Sequence, residues 1–147
     1  MTDVDPIVSL EHDHVHLSKL VAEVRRLLVG EPVDPEQLQG ALTALRDDLF
    51  DHFGREEESL FPYLRSVLPE LAASLAELES AHDKICGGVT RMLAALHGGG
   101  PRPAAVFARF DAEYGDHARR ESELLRGLGT RLDPAQRAAV AAMLREG

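Results

Sequence analysis

The sequence predicts an all-α protein: an up-down-up-down four-helix bundle followed by a short C-terminal fifth helix. Three observations support this fold class. Apolar residues recur at steps of three and four along four long segments, which is the spacing of one helix face. Short breaks rich in glycine and proline separate these segments. No segment shows the alternation of apolar and polar residues that is typical of a half-buried strand.

The breaks set the expected bounds of the helices. The five helices are predicted over about 5–28, 34–67, 69–96, 103–128 and 133–145. Asp34-Pro35 and Asp133-Pro134 each supply an N-cap residue followed by a proline in the first turn. Pro62 is expected to kink or break the second helix. We therefore expect a single domain over 1–147, with the bundle over about 5–128 and the last helix over about 133–145.

The composition limits the class of protein. The chain has 147 residues, of which 44% are apolar, and this is enough for one globular domain with a sizeable core. The formal net charge of −9 argues against nucleic acid or an anionic membrane as a partner. No segment approaches the roughly 20 apolar residues that cross a bilayer. We expect a cytoplasmic protein, because the N-terminus lacks a signal-peptide pattern and the single cysteine, Cys86, fits a reducing compartment.

Ionisable residues replace leucines in the middle of three of the apolar stripes. The second helix carries His52 and Glu56, the third carries His82, and the fourth carries His117 and Glu121. Each continues the steps of three and four made by the apolar residues around it. Because residues at this spacing share one helix face, these five side chains are predicted to point into the core.

The first helix offers three histidines within the segment Glu11-His-Asp-His-Val-His16. The apolar residues of this helix lie at +3, +7, +10 and +14 from His14, and they are Leu17, Val21, Val24 and Leu28. His12 and His16 lie two residues to either side and are rotated by roughly 200°. We predict that His14 points inward and that His16 is the reserve candidate.

Four buried imidazoles and two buried carboxylates predict a metal site. A buried carboxylate without a partner costs several kcal/mol or becomes protonated, and a layer of hydrogen-bonded His–Glu pairs explains six such residues less well than metal coordination does. Nitrogen and oxygen donors without a thiolate favour iron or manganese over a structural zinc ion. We expect two ions, each held by two histidines and bridged by both glutamates and a solvent-derived oxygen. The predicted ligands are His14, His52, Glu56, His82, His117 and Glu121.

These motifs resemble those of the hemerythrin-like, or HHE cation-binding, domains. The resemblance covers about residues 5–128 and rests on four segments: Asp13-His14, His52-Phe-Gly-Arg-Glu56-Glu with Leu60-Phe61-Pro62, Glu79-Ser-Ala-His82-Asp83 and Asp116-His117-Ala-Arg-Arg-Glu121. It implies a non-haem di-iron centre, oxo- or hydroxo-bridged, that binds or reacts with O2, peroxide or nitric oxide. Catalase-like turnover and repair of iron centres damaged by nitric oxide are open to such a centre, and so are oxygen or iron sensing, storage and transport.

Three departures from the family pattern bear on the role. Leu78 stands where oxygen carriers have a second histidine on the third helix, four residues before His82. This favours exchangeable positions on both ions, and hence turnover of peroxide or handling of nitric oxide over reversible oxygen carriage. Ala81 stands where members often have glutamate. After Glu121 the chain reads Ser-Glu-Leu-Leu-Arg rather than Leu-Phe-Pro, so that end of the bundle is expected to pack differently.

A ferritin-like di-iron bundle is the nearest alternative. It would use Glu-x-x-His twice, at 11/14 and 79/82, but it leaves His52 and His117 without a role in the core. Four residues near the predicted site remain open as additional ligands: His16, Cys86, Glu113 and Tyr114. Three carboxylates flank predicted ligands and are candidates to orient an imidazole through its free N–H: Glu57, Asp83 and Asp116.

Overall fold

The computed structural model describes the backbone of residues 6–29, 34–98 and 102–146, and the side chains of residues 14–29, 34–98 and 102–143. Its elements are α1 (Pro6–Val29), α2 (Pro35–Arg55), a π-helical turn (Glu56–Leu60), α3 (Phe61–Val67), a 3₁₀ turn (Pro69–Leu71), α4 (Ala72–Leu96), α5 (Pro103–Arg131) and α6 (Pro134–Glu146). All of these elements are helical. Both α1 and α4 pack against α2 and α5, so the four long helices form a ring of neighbours. The predicted four-helix bundle is confirmed.

The predicted starts of α2 and α6 are confirmed by their caps. The Asp34 side chain accepts hydrogen bonds from the backbone N–H groups of Glu36 and Gln37, at 3.0 and 3.3 Å. At the start of α6, Gln136 N–H donates to the Asp133 carboxylate at 2.7 Å, and Asp133 N–H donates to the Gln136 side chain at 3.0 Å. These reciprocal bonds are a capping box, in which two otherwise unpaired backbone donors are satisfied at once.

The second predicted helix is interrupted, but not at Pro62 itself. The irregular stretch lies just before the proline, in the π-helical turn, where Phe61 N–H donates to the Glu56 carbonyl five residues back. In a regular α-helix the proline ring would press on the carbonyl four residues earlier, and a wider turn relieves that clash. The extra residue in the turn also lets Leu60 and Phe61, which are adjacent in sequence, both be fully buried.

Two apolar clusters make up the core. The large apolar cluster contains Leu17, Val21, Val24, Leu27, Leu38, Leu42, Leu45, Leu49, Phe53, Ile85, Val89, Met92, Phe107, Phe110 and Tyr114. The end cluster contains Leu60, Phe61, Leu64, Leu71, Leu75, Leu78, Leu125, Leu128, Leu132 and Val140. On α4 and α5, and along α2 and α3, the chain passes from one cluster to the other. A layer of polar side chains, called the polar layer below, separates the two clusters. It lies where ionisable residues replace leucines in the apolar stripes of the sequence.

The last helix covers the end of the bundle. α6 packs against α1 and against the π-helical turn, and it places Val140 in the end cluster. Close approach of α4 and α5 depends on Gly88, where a Cβ atom would meet the Phe110 ring at 3.1 Å. Two residues after the end of α4, Gly98 has a φ of +85°, which is strained for residues with a side chain. The irregular turn and the covering helix together enclose the polar layer from the end-cluster side.

Candidate metal centre

Six ionisable side chains occupy the layer between the two apolar clusters. α1 supplies one histidine, α2 one histidine, the π-helical turn one glutamate, α4 one histidine, and α5 a histidine and a glutamate. Each is at most 8% exposed: His14, His52, Glu56, His82, His117 and Glu121. The predicted inward placement is therefore confirmed for all six, while their role as ligands stays a prediction.

The first group of candidate ligand atoms joins α1, α2 and α5. It contains His14, His52 and Glu121, whose atoms all lie within 4.8 Å of one another. Nε2 of His14 is 3.0 Å from Oε1 of Glu121, and Nε2 of His52 is 3.3 Å from the same oxygen. The two imidazole rings meet edge to face, with centroids 5.1 Å apart. Two imidazole nitrogens and a carboxylate oxygen thus converge in one small volume.

The second group joins α4 and α5. It contains His82, His117 and again Glu121, within the same 4.8 Å limit. Nε2 of His117 is 2.9 Å from Oε2 of Glu121, and the two imidazole centroids lie 4.8 Å apart. Oε1 of Glu121 faces the first group and Oε2 faces the second. The carboxylate of Glu121 therefore lies between the two groups and contacts an imidazole of each.

Glu56 contacts one imidazole from each group without belonging to either. Its Oε1 lies 3.3 Å from Nε2 of His52 and 3.5 Å from Nε2 of His82. This carboxylate is fully buried. Its contacts with one imidazole of each group fit the predicted second bridge, and its oxygen lies as far from Nε2 of His52 as that of Glu121 does.

The electrostatics of the two carboxylates differ. Burial, followed by the negative charge of Glu121, raises the pKa of Glu56 well above its usual range. Burial alone would raise the pKa of Glu121 too, but contacts with Glu56 and with the imidazoles of His117, His14 and His52 outweigh it, and its pKa lies well below the usual range. Without a cation, the pair is therefore expected to hold one proton, on Glu56, and one negative charge, on Glu121.

Several of these buried nitrogen and oxygen atoms suit a cation because no aligned hydrogen bond satisfies them. Among the described residues, no aligned hydrogen bond reaches either oxygen of Glu56, either ring nitrogen of His14 or His117, or Nε2 of His82. Buried polar atoms are normally paired, and each unpaired one costs about 1–3 kcal/mol. A cation shared by nitrogen and oxygen donors would satisfy one nitrogen of each imidazole together with the carboxylate oxygens. The donor set contains no thiolate.

His82 is held more firmly than the other imidazoles. Its Nδ1–H donates to the Glu57 carboxylate at 3.0 Å, which leaves Nε2 to face the polar layer. The Phe53 ring stacks on the imidazole at 3.7 Å between centroids, and Phe61 lies on it at 5.9 Å. Consecutive glutamates of the π-helical turn thus contact opposite nitrogens of one ring. Glu57 is one of the three orienting candidates predicted from the sequence, whereas the packing of Phe53 and Phe61 on His82 was not predicted.

Removing the Glu57 carboxylate is expected to weaken cation binding at the His82 side. Glu57→Ala frees Nδ1 of His82, so the ring loses its fixed tautomer and orientation, and partners of this kind typically account for about 10- to 100-fold in affinity. The measurement is competition for the cation against a chelator of known affinity. Glu58→Ala is the matched control, since Glu58 is an exposed residue of the same turn. Equal affinities for the two variants would contradict the orienting role.

Burial of His82 predicts a pH dependence for the metal-free protein. Burial lowers the pKa of His82 from 6.5 to about 3. Between these pH values the unfolded chain binds a proton that the folded chain does not, so stability falls as the pH drops through this window, by up to about 1.4 kcal/mol per pH unit. Urea unfolding of metal-free wild type and His82→Gln tests this. The variant should lose less stability between pH 6.5 and pH 4, and parallel curves would contradict it.

The further candidates lie outside both groups. His16 is exposed, and its Nε2 lies 2.8 Å from the Asp48 carboxylate. Glu113 accepts a hydrogen bond from Arg109 at 3.0 Å. The other two pack in the large apolar cluster, and burial raises the pKa of the Cys86 thiol to about 11 and that of the Tyr114 hydroxyl to about 12. None of the four joins either group of candidate ligands within the described part of the chain.

The ferritin-like alternative finds no support in this geometry. Glu79, which would pair with His82 in that arrangement, forms an ion pair with Arg65 instead. The side chains of Glu11 and His12 lie outside the described residues. Of the other flanking carboxylates, Asp116 pairs with arginines of its own helix and Asp83 is exposed. Glu57 alone of the three orienting candidates reaches a histidine of the polar layer in the described contacts.

Comparison with known proteins agrees with this geometry. The model of the hemerythrin HHE cation-binding domain matches residues 5–145, nearly the whole chain and farther into the C-terminal helix than the motifs reach. The chain matches no curated protein and no solved structure at a significant level. Within the described residues, no helix has the length and apolar character needed to cross a membrane.

Proposed function

The chain belongs to the hemerythrin family of HHE cation-binding domains, and from that premise we propose that it holds two iron ions and reacts with peroxide or nitric oxide. His14 and His52 would hold one ion, and His82 and His117 the other, with Glu121 between them. The observation that carries this proposal is the shared carboxylate. One Glu121 oxygen lies 3.0 Å from the first group's His14, and the other lies 2.9 Å from the second group's His117.

The donor set favours iron. Imidazole and carboxylate ligands without a thiolate suit iron or manganese, and they fit a structural zinc site poorly. Iron supplies redox chemistry and Lewis-acid stabilisation of negative charge when it is bound. Two carboxylates supply two negative charges to a centre whose imidazoles are neutral. Loading at neutral pH is then expected to release the proton that Glu56 holds in the metal-free protein.

The residues around the second group support turnover over reversible oxygen carriage. Leu78, at the position where carriers have a further histidine, is 4% exposed and packs in the end cluster. Among the described residues, each ion would therefore receive two imidazoles in addition to the carboxylates. Phe53 and Phe61 pack beside His82 and keep that side of the layer dry. Ions with few protein ligands would keep coordination positions at which a small molecule can exchange.

Oxygen exposure of the reduced, iron-loaded protein tests the proposed reaction. The optical spectrum is followed after oxygen is added, and peroxide consumption and nitric oxide consumption are assayed separately. We expect oxidation without recoverable oxygen, together with catalytic consumption of one of the two substrates. Oxygen uptake that is reversed under vacuum, with negligible turnover of either substrate, would contradict the proposal and support a carrier or a sensor.

The ligand assignment on α1 is tested by a pair of histidine variants. His14→Ala is expected to remove iron preferentially from the first group, because His14 is 8% exposed and its Nε2 faces Glu121. His16→Ala should leave the iron content and spectrum unchanged, since His16 is exposed and contacts Asp48. His12→Ala is also expected to be silent, as the phase of the α1 apolar residues predicts. Loss of the spectrum in either control, with retention in His14→Ala, would reassign the α1 ligand.

A further inference from the structure

A basic groove runs along the surface between α1 and α5 and reaches the polar layer. Its volume is about 740 Å³, and His14 is among its lining residues. His14 is 8% exposed, and neither of its ring nitrogens has an aligned hydrogen-bond partner among the described residues. Nε2 of the same ring lies 3.0 Å from Glu121. The groove therefore connects the surface with the first group of candidate ligands.

The lining of the groove is cationic in an acidic protein. Lys19, Arg119 and Arg126 contribute positive charges and Ser18 and Ser122 contribute hydroxyls, while the described lining residues include no carboxylate. The formal net charge of the chain is −9. A smaller cavity of about 230 Å³, which reaches His52 between α1 and α2, is lined by the carboxylates of Asp48 and Asp51 and by the guanidinium of Arg55. This second approach to the first group thus lacks the uniformly positive charge of the groove.

The described contacts leave most of the groove's charge available. Arg119 pairs with the exposed Asp116 at 2.5 Å, so its charge is partly compensated. Arg126 donates from Nε to the Ser122 carbonyl at 3.3 Å, which is a neutral acceptor. Lys19 and Arg126 are both exposed. A cleft lined by one sign of charge raises the local concentration of the opposite ion and its association rate.

We propose that the α1–α5 groove recruits small inorganic monoanions and guides them to the His14 side of the polar layer. Contact of such an anion with iron beside His14 rests on the proposed function. Its recruitment rests only on the lining of the groove. The charges hold an anion weakly and steer it inward, because the groove is much wider than a small anion and is open to solvent. The positive charges of the groove should not raise the association rate of a neutral ligand.

The first test measures the association rate of azide with iron-loaded protein by stopped-flow absorbance at several salt concentrations. Lys19→Ala and Arg126→Ala should each slow azide association about two- to fivefold at low salt and reduce its salt dependence. Arg91→Ala is the control, since Arg91 is an exposed cation on α4, away from the groove. Association of nitric oxide, which is neutral, should be the same in all four proteins. Equal azide rates in wild type and groove variants would overturn the proposal.

The second test needs no iron and keeps the two proposals separable. Metal-free protein is titrated with thiocyanate while the backbone amide signals are followed by NMR. Saturable shifts are expected along residues 14–22 and 118–126, and they should vanish in the Lys19→Ala/Arg126→Ala double variant. If the shifts appear but the protein never loads iron, anion recruitment by the groove is supported and the proposed function is contradicted. Shifts that do not saturate, or that persist in the double variant, would contradict anion recruitment by the groove. They would have no bearing on the proposed iron centre.

Discussion

Replacing Glu121 by glutamine is expected to abolish binding of both cations, the largest effect of any single change in this chain. Glu121 belongs to both groups of candidate ligands, and each of its oxygens faces a different one. The neutral amide also removes the negative charge that the buried layer holds without a cation. The loss in affinity should exceed the roughly 10- to 100-fold that is typical when a residue that only orients a ligand is removed. Iron content after reconstitution, measured per chain, is the readout.

Glu123→Gln is the matched control for that experiment. Glu123 is an exposed glutamate two residues along the same helix, and it belongs to neither group. It should load as wild type does. If Glu121→Gln kept one full equivalent of iron while its circular dichroism spectrum remained native, the two groups would be independent and the carboxylate would not be shared between them.

Stripping the cations is expected to lower the melting temperature by about 8–16 °C. A ligand present at a thousandfold excess over its dissociation constant stabilises a fold by about 4 kcal/mol, and each kcal/mol shifts the melting temperature of a chain this size by about 2–4 °C. The physical source is the polar layer, where the buried carboxylates of Glu56 and Glu121 lie close together and ionisation of Glu56 is disfavoured without a cation. Scanning calorimetry of loaded and stripped protein measures the difference.

Glu56→Gln separates this stabilisation from general effects of metal on the protein. Burial raises the pKa of Glu56, which shows that its ionised form is disfavoured in the metal-free fold. An uncharged amide removes that cost, so metal-free Glu56→Gln should melt at or above metal-free wild type at neutral pH. Its gain on adding iron should be smaller than that of wild type. If removal of the cations left the melting temperature of the wild-type protein unchanged, the polar layer would be stable without them.

The fold and the inward residues could be predicted because a helix converts sequence spacing into direction. Steps of three and four place His52 and Glu56 on the face of the surrounding leucines, whatever the helix packs against. The same spacing chose His14 over its neighbour His16, which the structure leaves exposed. Caps at Asp34 and Asp133 likewise act locally, through backbone groups one to three residues away.

Features that depend on contacts between helices could not be read in this way. The π-helical turn changes the helical phase after Glu56, and the sequence signals only the proline that accompanies it. The pairing of histidines within the two groups of candidate ligands depends on the order of the helices around the bundle. Periodicity within one helix carries no information about that order. The stacking of Phe53 on His82 and the groove between α1 and α5 arise from packing between distant segments for the same reason.

The most direct test is metal analysis after anaerobic reconstitution with ferrous iron, with removal of excess metal before the protein is measured. Two groups of ligands sharing one carboxylate predict two irons per chain. A His52→Ala/His117→Ala double variant, which removes one imidazole from each group, should retain less than one iron per chain. One zinc ion per chain, with no iron retained by the wild-type protein, would contradict the di-iron centre.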